Sequence, residues 1–199
     1  MAVVGVLGGT FDPVHTGHLI IAQEVALELG LELVYFIPVG QPPLKQGPVT
    51  PAAHRLEMLR LALAGNDSFH LSTLEVERPG PSYTVDTLRE LGRSEGREVL
   101  LILGWDAVAD LPRWSRPQEL LTLSRIAAVP RPGTPEPDVD GLEKALPGLR
   151  ERLRLLSGPV IDISASEIRR RVARGLPVHH LLPPAVEQYI REQGLYREG

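Results

Sequence analysis

The chain of 199 residues has no cysteine, which excludes disulfides, thiolate zinc sites and cysteine nucleophiles together. The absence fits a reducing cytoplasm. Nor is there a surplus of positive charge: Lys and Arg number 21 against 25 Asp and Glu, a net charge of −4. Non-specific binding along nucleic acid draws its affinity from phosphate neutralisation, so a mildly acidic chain is a poor candidate for it. No apolar run approaches the roughly 18 residues of a membrane span. The opening Met1-Ala2-Val3-Val4-Gly5-Val6-Leu7 has no basic start and breaks at glycine, unlike a signal peptide.

Glycine and proline are plentiful, 19 of each, and fall between apolar segments instead of in one tract. That pattern describes many shaped loops. At about 150 residues per domain the length suggests a single domain over 1–199, with the helical segment from about 164 to 199 packed on it.

Short apolar runs alternate with helical patterns, the signature of an α/β fold of Rossmann-like type. It has an open, mostly parallel sheet and helices on both faces. Strands are expected at 2–7, 31–37, 69–77, 98–103, 125–129 and 160–163. Helices are expected at 18–29, closed by Gly30, and from a Thr50 cap with Pro51 at its first position to about Ala64. Others are expected at 83–91 with Ser82 or Thr84 as cap, at 117–123, at 165–174 and at 184–193. Residues 131–140 read as a loop, and 141–156 stay ambiguous because Pro147 interrupts a helical pattern.

The informative segment is Gly8-Gly9-Thr10-Phe11-Asp12-Pro13-Val14-His15-Thr16-Gly17-His18. It follows the first strand and opens the first helix. A glycine pair lets backbone approach a ligand, and a helix N-terminus offers unpaired N–H groups and partial positive charge to phosphate. Neither GxGxxG nor GxxxxGK[ST] is present. In place of the P-loop lysine stand two histidines, His15 and His18, whose N–H groups suit phosphate oxygens. A metal site there lacks a third ligand.

A second cluster, Ile163-Ser164-Ala165-Ser166-Glu167-Ile168-Arg169, sets hydroxyls and free N–H groups at another helix start, where Ser164 and Glu167 fit a capping box. Alone it reads equally well as helix capping beside a solvated basic run. Two such helix starts could clamp one polyphosphate from both sides.

Together these motifs resemble those of the HxGH nucleotidylyltransferase superfamily. Within it the chain resembles bacterial nicotinate-nucleotide adenylyltransferases along nearly its whole length. The resemblance runs through GGTFDPVHTGHL at 8–19, PPLKQ at 42–46, HRLEML at 54–59 and ERPGPSYTVDTL at 77–88. It continues through LGWDAVADLPRW at 103–114, RPG at 131–133, ISASEIR at 163–169 and LLPPAVEQYIREQGLY at 181–196. It implies transfer of AMP from ATP to nicotinate mononucleotide, with Mg²⁺, giving deamido-NAD and pyrophosphate in NAD biosynthesis. The expected setting is the cytoplasm, with small-molecule partners only and a homo-oligomer left open.

By that resemblance Gly8, Gly9, Thr10, Phe11, His15 and His18 hold ATP, Gly104 and Asp106 sit at its adenosine, and Ser164, Ser166 and Arg169 grip its outer phosphates. Lys45 reaches the reacting centre and also the acceptor. Tyr83, Thr84, Trp114 and Arg131 shape the acceptor site, with Trp114 stacking on the ring. Four positions depart from the pattern: Ala165 and Ser166 stand where serine and threonine are usual, Leu44 where histidine is common, and Trp105 where a small residue is common. A pantetheine-phosphate adenylyltransferase, which shares the first and last motifs, and a non-catalytic nucleotide sensor are the competing readings. The acceptor phosphate is largely dianionic at neutral pH, its second pKa being about 6, so no general base is needed.

Overall fold

The structure, a computed structural model, describes residues 3–41 and 49–197. Strands β1 (Val3–Gly9), β2 (Leu33–Pro38), β3 (Phe69–Leu71), β4 (Glu98–Gly104), β5 (Ser124–Val129) and β6 (Leu153–Leu155) form one sheet. Its order is β3-β2-β1-β4-β5-β6 and every neighbouring pair is parallel. Strands covered on both faces read as continuous apolar runs, as Val99-Leu100-Leu101-Ile102 does in β4.

The helices are α1 (Thr16–Leu29), α2 (Ala52–Leu63), α3 (Leu74–Glu77), α4 (Thr84–Glu95), α5 (Trp105–Asp110), α6 (Pro117–Leu123), α7 (Val139–Ala145), α8 (Leu149–Arg152), α9 (Ala165–Ala173) and α10 (Pro184–Glu192). They cover both faces. On one, Leu100 and Ile102 of β4 pack with Val25 of α1, Met58 of α2, Ile168 of α9 and Ile190 of α10. On the other, Val99 and Leu101 meet Leu88 of α4, Val108 of α5 and Leu120 of α6. The alternation follows from side chains pointing to opposite faces along a strand. No described helix is long and apolar enough to cross a membrane.

Several expectations need correction. The run at 69–77 is a strand only to Leu71, and Leu74–Glu77 turns into helix. Residues 160–163 form no strand; the sixth place in the sheet goes to Leu153–Leu155, inside the ambiguous stretch. Apolar Ile161 and Ile163 line a cavity instead, and Val160 is exposed. Thr50 does not cap α2, whose cap position is Pro51; its N–H is taken by the Asp12 carboxylate at 3.2 Å. Neither Ser82 nor Thr84 caps α4: the cap position is Tyr83 and no side chain serves it. The Ser82 hydroxyl instead accepts the Gly40 N–H at 3.1 Å. Ser164 does accept the Glu167 N–H at 3.2 Å, but the Glu167 carboxylate pairs with Arg170 and Arg171 instead of closing the box.

Candidate active site

The strand order reverses between β1 and β4, so a crevice opens at the carboxyl ends of these strands, the usual ligand position in such sheets. Two cavities meet there, of about 640 and 620 Å³, within the range of ligand pockets. Gly8, Gly9, Thr10, Leu103 and Trp114 line both. Gly8 closes the floor with no side chain, and a Cβ there would meet no atom of the described residues beyond its chain neighbours within 4 Å. The protein itself leaves that space open.

The larger cavity carries far more polar surface than the smaller. Phe11, His15 and His18 from the β1–α1 turn, Gly104 and Asp106 from the β4–α5 junction, and Ser164, Ser166 and Arg169 from α9 all line it. The two helix starts singled out in the sequence therefore face one space. An Arg169 Nη donates to the Asp12 carbonyl at 2.6 Å, so the second cluster is tied directly to the first.

His15 occupies the cap position of α1 and His18 lies in its first turn. Their rings stack with centroids 3.6 Å apart. The His15 backbone N–H donates to Nδ1 of His18 at 3.2 Å, which leaves the proton of a neutral His18 on Nε2. Nδ1 of His15 is buried with no hydrogen-bond partner among the described residues. A buried lone pair is cheaper than a buried unpaired N–H, so His15 also carries its proton on Nε2. Burial, reinforced by the Arg131 charge, lowers the His15 pKa to about 4. Burial, the neighbouring His15 and Arg131 push His18 well below the usual histidine value. Both rings are neutral N–H donors at neutral pH.

The β1–α1 turn is held by groups to which sequence reasoning gave no role. Arg55 on α2, 2% exposed, donates to the carbonyls of Thr50 at 3.0 Å and Thr10 at 2.9 Å. Tyr196 donates its hydroxyl proton to Asp12 Oδ1 at 2.7 Å. Burial pushes the Asp12 carboxyl up, but the bonds from Thr50 and Tyr196, with the Arg169 charge, hold it below its ordinary pKa. Arg55 and Tyr196 lie inside recognised segments, HRLEML and GLY, yet nothing local shows what they touch.

The smaller cavity is mostly apolar, walled by Val6, Ile37, Leu88, Leu101 and Trp114. Its polar groups lie around the start of α4, where Tyr83 and Thr84 also line it. Among the described residues no side chain caps α4; the Asp86 and Thr87 N–H groups donate to the Tyr83 carbonyl at 3.0 and 3.3 Å, and those of Thr84 and Val85 in the first turn are the orphan donors of a helix start. Glu75, Ser82 and Thr87 lie on the same cavity lining; none was expected there, Glu75 because it falls in a stretch read as strand.

Arg131, expected beside the acceptor with Tyr83, lines the larger cavity instead and pairs with Asp106 at 3.3 Å. A Cβ on Gly104 would strike both Asp106 and Arg131. Trp105 packs against the core on the α4 side of the sheet and lines neither cavity. Lys45 and Leu44 lie outside the described residues.

Comparison with known proteins follows the same lines. The cytidylyltransferase-like family model matches residues 6–171. A Dehalococcoides mccartyi protein named probable nicotinate-nucleotide adenylyltransferase is 49% identical over 195 residues, 96% of each chain. One of the same name from Roseiflexus sp. is 50% identical over 197 residues, 98% of each. The fold is similar to that of a Plasmodium falciparum nicotinic acid mononucleotide adenylyltransferase solved with NaAD. That similarity has a TM-score of 0.81 and 18% identity and covers 98% of each chain.

Proposed function

This chain belongs to the nicotinate-nucleotide adenylyltransferases of the cytidylyltransferase-like family, and from that membership we propose its reaction and the work of its site. It transfers AMP from ATP to nicotinate mononucleotide, releasing pyrophosphate and forming deamido-NAD, as a cytoplasmic step of NAD biosynthesis. The observation that carries this reading is the pair of cavities, one more polar and one mostly apolar, meeting over Gly8, Gly9 and Thr10.

ATP takes the larger cavity. Asp106 accepts from its ribose hydroxyls beside Gly104, while Ser164, Ser166, Arg169 and the free N–H groups of α9 grip the outer phosphates. The backbone at Gly8, Gly9, Thr10 and Phe11 lies along the triphosphate. Arg131, among these groups and not among those of the acceptor, adds positive charge on the same side. The acceptor's ring enters the apolar cavity against Trp114, with its carboxylate toward Tyr83, Thr84 and the uncapped start of α4.

A phosphate oxygen of the acceptor attacks the α-phosphorus in line. The bond from that phosphorus to the bridging oxygen of pyrophosphate breaks, and the electron pair leaves with pyrophosphate. The acceptor is already dianionic, so no side chain removes a proton. Catalysis is positioning and charge stabilisation. His15 and His18 donate Nε2–H to phosphate oxygens, and Lys45 completes the set from the segment at 42–48. Among the described residues no group of three or more His, Asp or Glu is arranged to hold a metal ion. The donors here suit anionic oxygen, which fits Mg²⁺ arriving on the ATP phosphates and neutralising their charge.

Pyrophosphate release, measured with nicotinate mononucleotide, with phosphopantetheine and with ATP alone, tests the reading. Release that depends on nicotinate mononucleotide is expected. Release only with phosphopantetheine, or none with either acceptor, would overturn it.

A further inference from the structure

Glu75 is 8% exposed and has no ion-pair partner among the described residues. Its carboxylate accepts the Thr87 hydroxyl proton at 2.7 Å and a bond from the Ser82 hydroxyl. Thr87 and Ser82 are themselves buried, and all three line the apolar cavity beside the uncapped start of α4. Of the charged and titratable groups on the elements around it, Glu77 bonds to Thr73, and Asp86 and Arg89 of α4 pair with each other. Arg113 and Tyr83 lie on the cavity lining, and Tyr35 lies on β2 beneath. Arg78 alone acts on its charge. That guanidinium reaches Glu75 only through the Thr87 hydroxyl, at 3.1 Å, and spends its other arm on Glu90.

We propose that Glu75 is the residue that sets preference between acceptors with an anionic and a neutral ring substituent. The proposal rests on the reading of this cavity as the acceptor site. A carboxylate drawn to the α4 start lies on the same wall as Glu75, and two carboxylates so placed cannot both stay ionised without cost. One proton is taken up from solvent as the anionic acceptor binds, and Glu75 then donates a hydrogen bond to it. A carboxamide needs no such proton, and an ionised Glu75 accepts its N–H. Burial raises the Glu75 pKa, with Thr87, Arg78 and Ser82 opposing, so the carboxyl is already biased toward the protonated form.

The test is the ratio of kcat/KM for nicotinate mononucleotide to that for nicotinamide mononucleotide, followed from pH 6 to pH 9. Both acceptors carry the same phosphate, so its titration cancels in the ratio. The wild-type ratio should fall by about tenfold or more as pH rises, as expected for adjacent like charges. In Glu75→Gln, which keeps the size and can donate to a carboxylate at every pH, the ratio should be flat. A flat wild-type ratio overturns the assignment without any variant, as does an equal slope in Glu75→Gln. If neither mononucleotide yields pyrophosphate, it is the acceptor-site reading that fails, and the assignment with it.

Discussion

The imidazole of His18 accepts the backbone N–H of His15 at 3.2 Å and lies stacked on the His15 ring, centroids 3.6 Å apart. One hydrogen bond thus sets the tautomer of His18 and aims its remaining N–H away from the helix. Loss of one such donor to developing charge typically lowers turnover by about 10²–10³. His18→Ala should show that loss in kcat while still folding, as read by an unchanged far-UV circular dichroism spectrum. Near-normal turnover would show that the ring serves packing alone.

The histidine pKa values have a consequence for stability. A histidine whose folded pKa is lowered favours the native state while it is neutral. His15, lowered to about 4, gives that stabilisation in full above pH 6.5 and loses it as pH falls from there toward 4. The amount is about 3 kcal/mol at 1.36 kcal/mol per unit. His18 acts in the same direction. Asp12, whose pKa is lowered, gives its stabilisation at higher pH and loses it only as pH falls through a value below 3.8. Urea midpoints at pH 7 and 4.5 should differ markedly in the wild type and less in His15→Asn; equal differences would refute the link.

Gly8 separates a folding role from a binding role. A Cβ at this position meets no atom of the described residues beyond its chain neighbours within 4 Å, so Gly8→Ala should fold as the wild type does. Gly8 lines both cavities, however, so the added methyl group should raise KM for at least one substrate by about tenfold, as for a contact worth about 1.4 kcal/mol. Unchanged KM values would place the phosphates elsewhere.

Tyr196 is linked to the site only through Asp12. Tyr196→Phe removes a donor at 2.7 Å from a buried carboxylate, and hydrogen bonds to charged groups are worth about 1.5–3 kcal/mol. The variant should unfold at lower urea by that amount, and its acid unfolding should begin at higher pH because the Asp12 carboxyl has lost a stabilising bond. A loss under about 0.5 kcal/mol, that of an ordinary surface change, would contradict this.

The turn from β1 into α1 was legible because strand, glycine pair and histidines are contiguous, and physics acts there over neighbouring residues. The buried strands were legible from their apolar runs. Residues 160–163 misled because an apolar stretch at a cavity rim has the same local pattern as an edge strand. Glu75 was hidden in a weak alternation that breaks at Leu71, and only the fold brings it to Ser82 and Thr87. Arg131 sits in a Pro/Gly loop, whose path to Asp106 depends on how β4 and β5 end. Arg55 and Tyr196 reach the same turn from α2 and from beyond α10, across 45 residues from Thr10 and 184 from Asp12. No spacing rule spans such separations.

A crystal structure with deamido-NAD bound tests the central claim most directly. The adenosine should lie beside Gly104 and Asp106, the two phosphates over Gly8, Gly9 and Thr10 within reach of His15 and His18, and the pyridine ring against Trp114. A product lying outside the two joined cavities, or bound with adenine in the apolar one, would contradict it.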